Sequence, residues 1–80
     1  MAHRNRVLQS IETDDGGRCV DLFVRADGTF GFEEYRRDSE DGLGWFPIGG
    51  YASVVFVTPS AARTAALAAI TWLTAVVNGP

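Results

Sequence analysis

Residues 58–77, TPSAARTAALAAITWLTAVV, decide the fold because they predict a long helix with almost no charge. Thr58 followed by Pro59 is typical of a helix N-cap and first turn, where the N–H that proline lacks is not needed. Alanine and leucine then favour the helix until the terminal segment NGP ends it. The sequence therefore predicts one C-terminal helix over residues 59–77, apolar on most of its faces.

Charge is distributed unevenly along the 80 residues, a length that predicts one small domain. All ten acidic residues lie between positions 12 and 41, and six of the seven arginines precede position 38. Beyond Asp41, Arg63 is the only charged side chain. The pattern indicates a charged front half that faces water and an uncharged back half that needs to be covered.

Several features indicate a protein of the reducing cytoplasm without membrane attachment. Cys19 is the only cysteine, so neither an intrachain disulfide nor a cysteine-rich zinc site can form. Residues 1–5 are expected to be disordered, and they lead into polar sequence rather than into the apolar core of a signal peptide. The fourteen-residue uncharged run at 64–77 is shorter than the roughly 18–20 residues of a membrane-spanning helix. We therefore expect a small, bacterial-type cytoplasmic protein.

The front half predicts an antiparallel sheet. Residues 4–13 favour a strand, although the sequence leaves open whether it is paired. Val20, Leu22 and Val24 recur at every second position, and Phe30 and Phe32 do the same after a turn. Shorter apolar segments at 45–48 and 53–57 predict an edge strand and a further strand covered on both faces. Together with the terminal helix, they predict an α+β fold in two layers, an antiparallel meander of about four strands packed against one helix.

The turn Ala26-Asp27-Gly28 fixes the register of the central hairpin. A two-residue Asp-Gly turn would place apolar residues of one strand opposite polar residues of the other. A three-residue loop, with its glycine in the left-handed conformation, places Val24 opposite Phe30 and gathers the apolar residues on one face. We therefore predict the bulged three-residue loop, with Phe23 across from Gly31 on the other face.

No constellation of residues predicts catalysis. His3, the only histidine, lies in the N-terminal tail, and Cys19 has no histidine placed to activate it. Asp38, Glu40 and Asp41 lack the alternating ligands and final glutamate of a calcium loop. The sequence thus predicts a protein that is not an enzyme and has no catalytic, metal-binding or cofactor-binding residues.

The helix carries the first functional hypothesis. A helix that is apolar all round is buried on more than one side, and a single layer of an 80-residue chain cannot cover it. The residues expected to face away from the sheet are Leu67, Thr71, Trp72, Thr74 and Ala75. We expect them to form a homodimer interface or to bind another protein.

The alternative hypothesis is a single-stranded nucleic-acid binder. The sheet face opposite the core is expected to carry aromatic residues beside arginines, a combination that stacks on bases and contacts phosphates. These residues are Phe23, Arg25, Tyr35, Arg36 and Arg37. The front half nevertheless carries ten acidic residues against six arginines, whereas phosphate binding needs a net positive track. The charge balance therefore disfavours nucleic acid as a partner.

Overall fold

The computed structural model describes residues 5–38, 42 and 44–78. In chain order its elements are β1 Arg6–Glu12, β2 Arg18–Val24, β3 Phe30–Arg37, β4 Trp45–Pro47, a 3₁₀ turn at Tyr51–Ser53, α1 Pro59–Ala69 and α2 Thr71–Val77. The strands form one antiparallel sheet in sequence order, and the helices pack against it. This arrangement confirms the predicted α+β fold with a four-stranded meander. The expectations for residues 1–4, including His3, and for Glu40 and Asp41 fall outside the described residues.

The central hairpin has the predicted register. Val24 lies opposite Phe30, and the Arg25 N–H donates to the Thr29 carbonyl at 2.7 Å, which closes a three-residue loop. Gly28 occupies the left-handed region with φ 87°, a conformation that glycine adopts without steric penalty. The bulged loop inferred from the apolar pattern is therefore confirmed.

Strand β1 is paired, which answers the question that the sequence left open. It runs antiparallel to β2, with Ile11 opposite Val20 and Glu12 opposite Cys19. The register shifts between Val7 and Gln9, an irregularity typical of edge strands. The sheet therefore has β1 at one edge and the short β4 at the other.

The core lies between one sheet face and the two helices. Its buried apolar residues are Val20, Leu22, Phe32, Ala62, Ala66, Ile70 and Leu73. The sheet contributes the large side chains, whereas α1 contributes alanines, whose short side chains let a helix pack closely against its neighbours. The regular spacing of the sheet residues thus produces the core face predicted from the sequence.

A break at Ile70 divides the C-terminal helix, so the predicted single helix over residues 59–77 is wrong at this point. Ile70 is extended, with φ −115° and ψ 104°, and α1 and α2 are bent by 114° relative to each other. The bent arrangement leaves Ile70 only 3% exposed and Leu73 only 1% exposed. Residues 60–77 contain neither glycine nor proline, so tertiary packing rather than local propensity ends α1.

The connection between β4 and α1, residues 48–57, also differs from the prediction. The sequence predicts a strand covered on both faces at 53–57, but within this segment only Phe56 pairs with the sheet, through Phe30. Val55 and Val57 flank it and are 59% and 80% exposed. The prediction fails because a continuous apolar run is buried only where elements cover both of its faces.

Neither α1 nor α2 alone is long and apolar enough to cross a membrane, and the same holds for every single helix of the described residues. The two helices reach the length and composition of a span only when they are taken together across their 114° bend. That result reflects the same alanine-rich, nearly uncharged composition that is visible in the sequence.

Candidate functional site

Large apolar side chains are exposed on the back half of the chain. Beyond β4 these residues, here called the uncharged surface, are Ile48, Val54, Val55, Val57 and Val76, and Trp45 on β4 is 37% exposed as well. Four of them lie on the connection and one lies on α2, and each exposes more than a third of its side chain. Arg63, the only charged residue of this half, donates a hydrogen bond to the Gln9 side chain on β1 at 2.9 Å. Exposed large apolar side chains in a sequence segment without charged residues are typical of surfaces that are covered by a partner.

The helix residues predicted for self-association divide into two groups. Thr71, Thr74 and Ala75 are exposed on α2. Leu67 and Trp72 are half-buried and pack against the core of their own chain. The bend at Ile70 explains the division, because it gives α2 an orientation that a continuous helix would not have.

Trp72 is held within the chain by a polar cluster on the core side of β3. Its indole Nε1 donates to Glu34 Oε2 at 2.8 Å, and Arg18 Nη1 forms an ion pair with the same oxygen at 3.2 Å. Glu34 is buried, and its two donors satisfy a carboxylate that would otherwise be costly in this position. Sequence reasoning missed this cluster, although Glu34 continues the every-second-position series of Phe30 and Phe32 and therefore lies on the same buried face of β3.

Two charged residues of the opposite sheet face hold the connection in place. Arg25 donates to the carbonyls of Phe30, Ala52 and Val54 at 2.8, 2.5 and 2.9 Å. Glu33, which is buried, accepts from the Ala52 N–H at 3.2 Å. These bonds satisfy backbone groups where the strand ladder is interrupted, so both side chains have structural roles that the sequence did not indicate.

The proposed nucleic-acid residues do not form one open stacking surface. Phe23 is only 4% exposed, with its ring against Gly31 as predicted and the Arg25 guanidinium 5.0 Å from the ring centroid. Tyr35 is half-buried on the same face.

The two remaining arginines of that set lie at the β4 edge. Arg36 stacks on Phe46 at 5.1 Å, and Arg37 stacks on Trp45 at 4.5 Å. Arg37 also donates to the Gly16 carbonyl at 3.0 Å. Both guanidinium groups therefore already contact aromatic rings of the same chain.

A small polar cluster surrounds Cys19 on the outer sheet face. Ser10 Oγ donates to Asp21 Oδ1 at 2.6 Å, and the Cys19 thiol donates to the same oxygen at 3.3 Å. Burial raises the pKa of the Cys19 thiol to about 11, so the thiol is neutral near pH 7 and is a poor nucleophile. Burial also raises the pKa of Tyr35. Within the described ranges, no group of three or more His, Cys, Asp or Glu residues is placed to hold a metal ion.

Comparisons with protein-family models, with curated proteins and with solved structures found no match. The features that can carry a functional inference are therefore those of the chain itself. They are the exposed valines, the distribution of charge and the break between the two helices.

Proposed function

We propose that this chain is a small, bacterial-type cytoplasmic interaction domain without enzymatic activity that associates with a second copy of itself through the uncharged surface. The observation that carries this proposal is the exposure of Val54, Val55 and Val57 in a half of the chain with a single charged residue. Val57 alone is 80% exposed. Burying such side chains at an interface is favourable, at roughly 25 cal/mol for each Å² of apolar surface removed from water.

The charge distribution favours pairing of two copies through their back halves rather than through their front halves. The front half carries ten acidic residues against six arginines, so two front halves repel each other. Pairing through the back halves avoids this repulsion, because Arg63 is the only charged residue of that half. A two-fold arrangement, in which the same residues meet on both copies, is the commonest geometry for such pairs.

The test is the molar mass in solution, measured by light scattering after size exclusion from about 1 to 100 μM. We expect a dimer whose dissociation constant rises about tenfold or more in Val57→Glu, because the change places a charge on the most exposed valine. Val7→Glu is the matched control, since Val7 is 52% exposed but lies on β1 in the charged half. A monomeric wild-type chain, or equal effects of the two substitutions, would contradict the proposal.

Trp72 is a poor position for this test, although it belongs to the predicted interface. Its indole donates to Glu34 and its ring packs against the core. A glutamate there would face the buried Glu34 carboxylate and would disturb the fold of the single chain. Loss of a dimer in such a variant would not distinguish an interface residue from a core residue.

A further inference from the structure

Ile70 is the single residue that separates two helices whose sequence favours one. No glycine or proline occurs between Pro59 and Gly79, and alanine, leucine and threonine continue across the break. The extended conformation of Ile70, with ψ 104°, is an ordinary one for an isoleucine. Rotation of this one residue to a helical ψ of about −42° would join α1 and α2 into a continuous helix.

The break leaves backbone donors without helical partners. The N–H groups of Thr71 and Trp72 open α2, where an N–H has no acceptor one turn earlier in the same helix. The Leu73 N–H donates to the Ile70 carbonyl at 3.1 Å, and the Thr74 hydroxyl donates to the Leu67 carbonyl at 3.4 Å in place of a backbone N–H. A continuous helix would return these groups to regular helical bonding.

The contacts that hold α2 are apolar packing of Leu73, Trp72 and Val77 against the core and one side-chain hydrogen bond. Leu73 is buried in the core, and the Trp72 indole donates to Glu34. Straightening at Ile70 would carry both side chains away from their own sheet and leave the Glu34 carboxylate without its indole donor. The group that fits this vacated position best is an identical α2, because it supplies the same leucine and the same indole.

We propose that two copies of this chain exchange α2. In the dimer, α1 and α2 straighten at Ile70, and each α2 docks on the partner sheet with the contacts that it makes within one chain. The exchange rests on the proposed self-association and names its partner, a second copy, and its exchanged element. It keeps the Leu73 and Trp72 contacts of α2 with a sheet and adds the helical hydrogen bonds that the break omits, and exchange of an element with its contacts kept is a low-cost route to a dimer.

The first experiment fixes the break. Thr71→Pro places proline at the first position of α2, where its N–H is not needed, and favours an extended Ile70 while preventing a continuous helix. We expect this variant to fold, with urea unfolding as the check, and to dimerise at least about tenfold more weakly than the wild-type chain, because only the uncharged surface is then left to hold the copies together. Thr71→Ala is the matched control, because it shortens the same exposed side chain and keeps the helix continuous. It should remain a dimer at the concentrations where Thr71→Pro is a monomer.

The second experiment detects exchange directly by mixing Trp72→Phe with Glu34→Ala. Neither chain alone retains the Trp72–Glu34 hydrogen bond, but an exchanged mixed dimer restores one intact pair and joins phenylalanine to alanine at the other. After refolding together, native mass spectrometry should therefore find the mixed dimer well above its statistical share of about one half. A mixed dimer that amounts to only about one half of all dimers would overturn the exchange.

The outcomes separate the two proposals. The exchange alone is overturned if the wild-type chain and Thr71→Pro dimerise equally well and the mixed dimer forms at its statistical share. The proposed self-association then still stands. A monomeric wild-type chain, together with a monomeric Thr71→Ala variant, overturns both.

Discussion

Cys19 illustrates how neighbouring residues decide the chemistry of a single side chain. Burial is the main cause of its raised pKa, a hydrogen bond with Ser10 lowers the pKa, and the nearby Asp21 carboxylate raises it again. The folded chain therefore keeps the thiol proton up to about pH 11, whereas an unfolded chain loses it near pH 9.0. Between these values stability falls as pH rises, because the unfolded state binds fewer protons.

Thiol modification tests this assignment. In the native chain at about pH 8, we expect a thiolate fraction about 100-fold below that of an ordinary thiol, and a correspondingly slow reaction with an aromatic disulfide reagent. The rate should keep rising beyond pH 9.0, because the pKa of the folded thiol is about 11. Asp21→Asn should accelerate the reaction by removing the nearby negative charge, and unfolding in urea should abolish the protection. A plateau of the native rate near pH 9.0 would contradict the raised pKa.

Phe23 and Gly31 show how one glycine allows a bulky ring on the outer face of the β2–β3 hairpin. A Cβ at position 31 would lie 2.9 Å from two carbons of the Phe23 ring and 2.6 Å from Arg25 Nη2. Gly31→Ala should therefore lower the free energy of unfolding by about 1–3 kcal/mol, as overpacking does elsewhere. Urea denaturation at fixed pH measures the loss.

A double-mutant cycle distinguishes this close contact from a general effect of losing glycine. Phe23→Leu removes ring atoms next to position 31, so Gly31→Ala should be less destabilising in that background than in the wild-type chain. Equal losses in both backgrounds would show that the ring is not what excludes the alanine. Arg25 would then be the residue to examine, because its guanidinium also lies within contact distance.

The β2–β3 hairpin can be predicted from the sequence, whereas the two terminal helices cannot. The register of Val24 with Phe30 follows from alternation and from Gly28, both of which are local features. The break at Ile70 has no local signal, since only burial against the sheet explains it. The exposure of Val57 was equally hidden, because a sequence does not state how many elements will be available to cover an apolar run.

The candidate site, too, has features that can be predicted from the sequence and features that depend on tertiary packing. The uncharged composition of the back half could be read from the sequence, and it led to the hypothesis of self-association. The identity of the exposed residues could not, because helical periodicity places Trp72 facing outward, whereas its indole donates to Glu34. Placing a side chain on a helix face from periodicity assumes a continuous helix, and the phase is lost at the bend.

Charge and polarity are divided between the two halves of the chain. In the sequence, the acidic residues and six of the seven arginines precede β4, whereas the connection and the two helices are nearly uncharged. Arg25 and Glu33 join the halves, because they reach from the sheet to the backbone of the connection. The surface available to a partner is therefore apolar on the back half and net negative on the front half.

This division leads to a prediction about nucleic acids. We expect no binding of short single-stranded oligonucleotides in gel shifts from about 50 to 200 mM salt, because the front half carries more acidic residues than arginines. In addition, the Phe23 ring is covered and the Arg25 guanidinium is bonded to backbone carbonyls, so neither is free to stack on a base. The double variant Arg36→Ala, Arg37→Ala serves as the comparison, since these arginines lie at the β4 edge. Binding that weakens as salt rises, and that this variant weakens further, would instead assign a nucleic-acid function to the β4 edge.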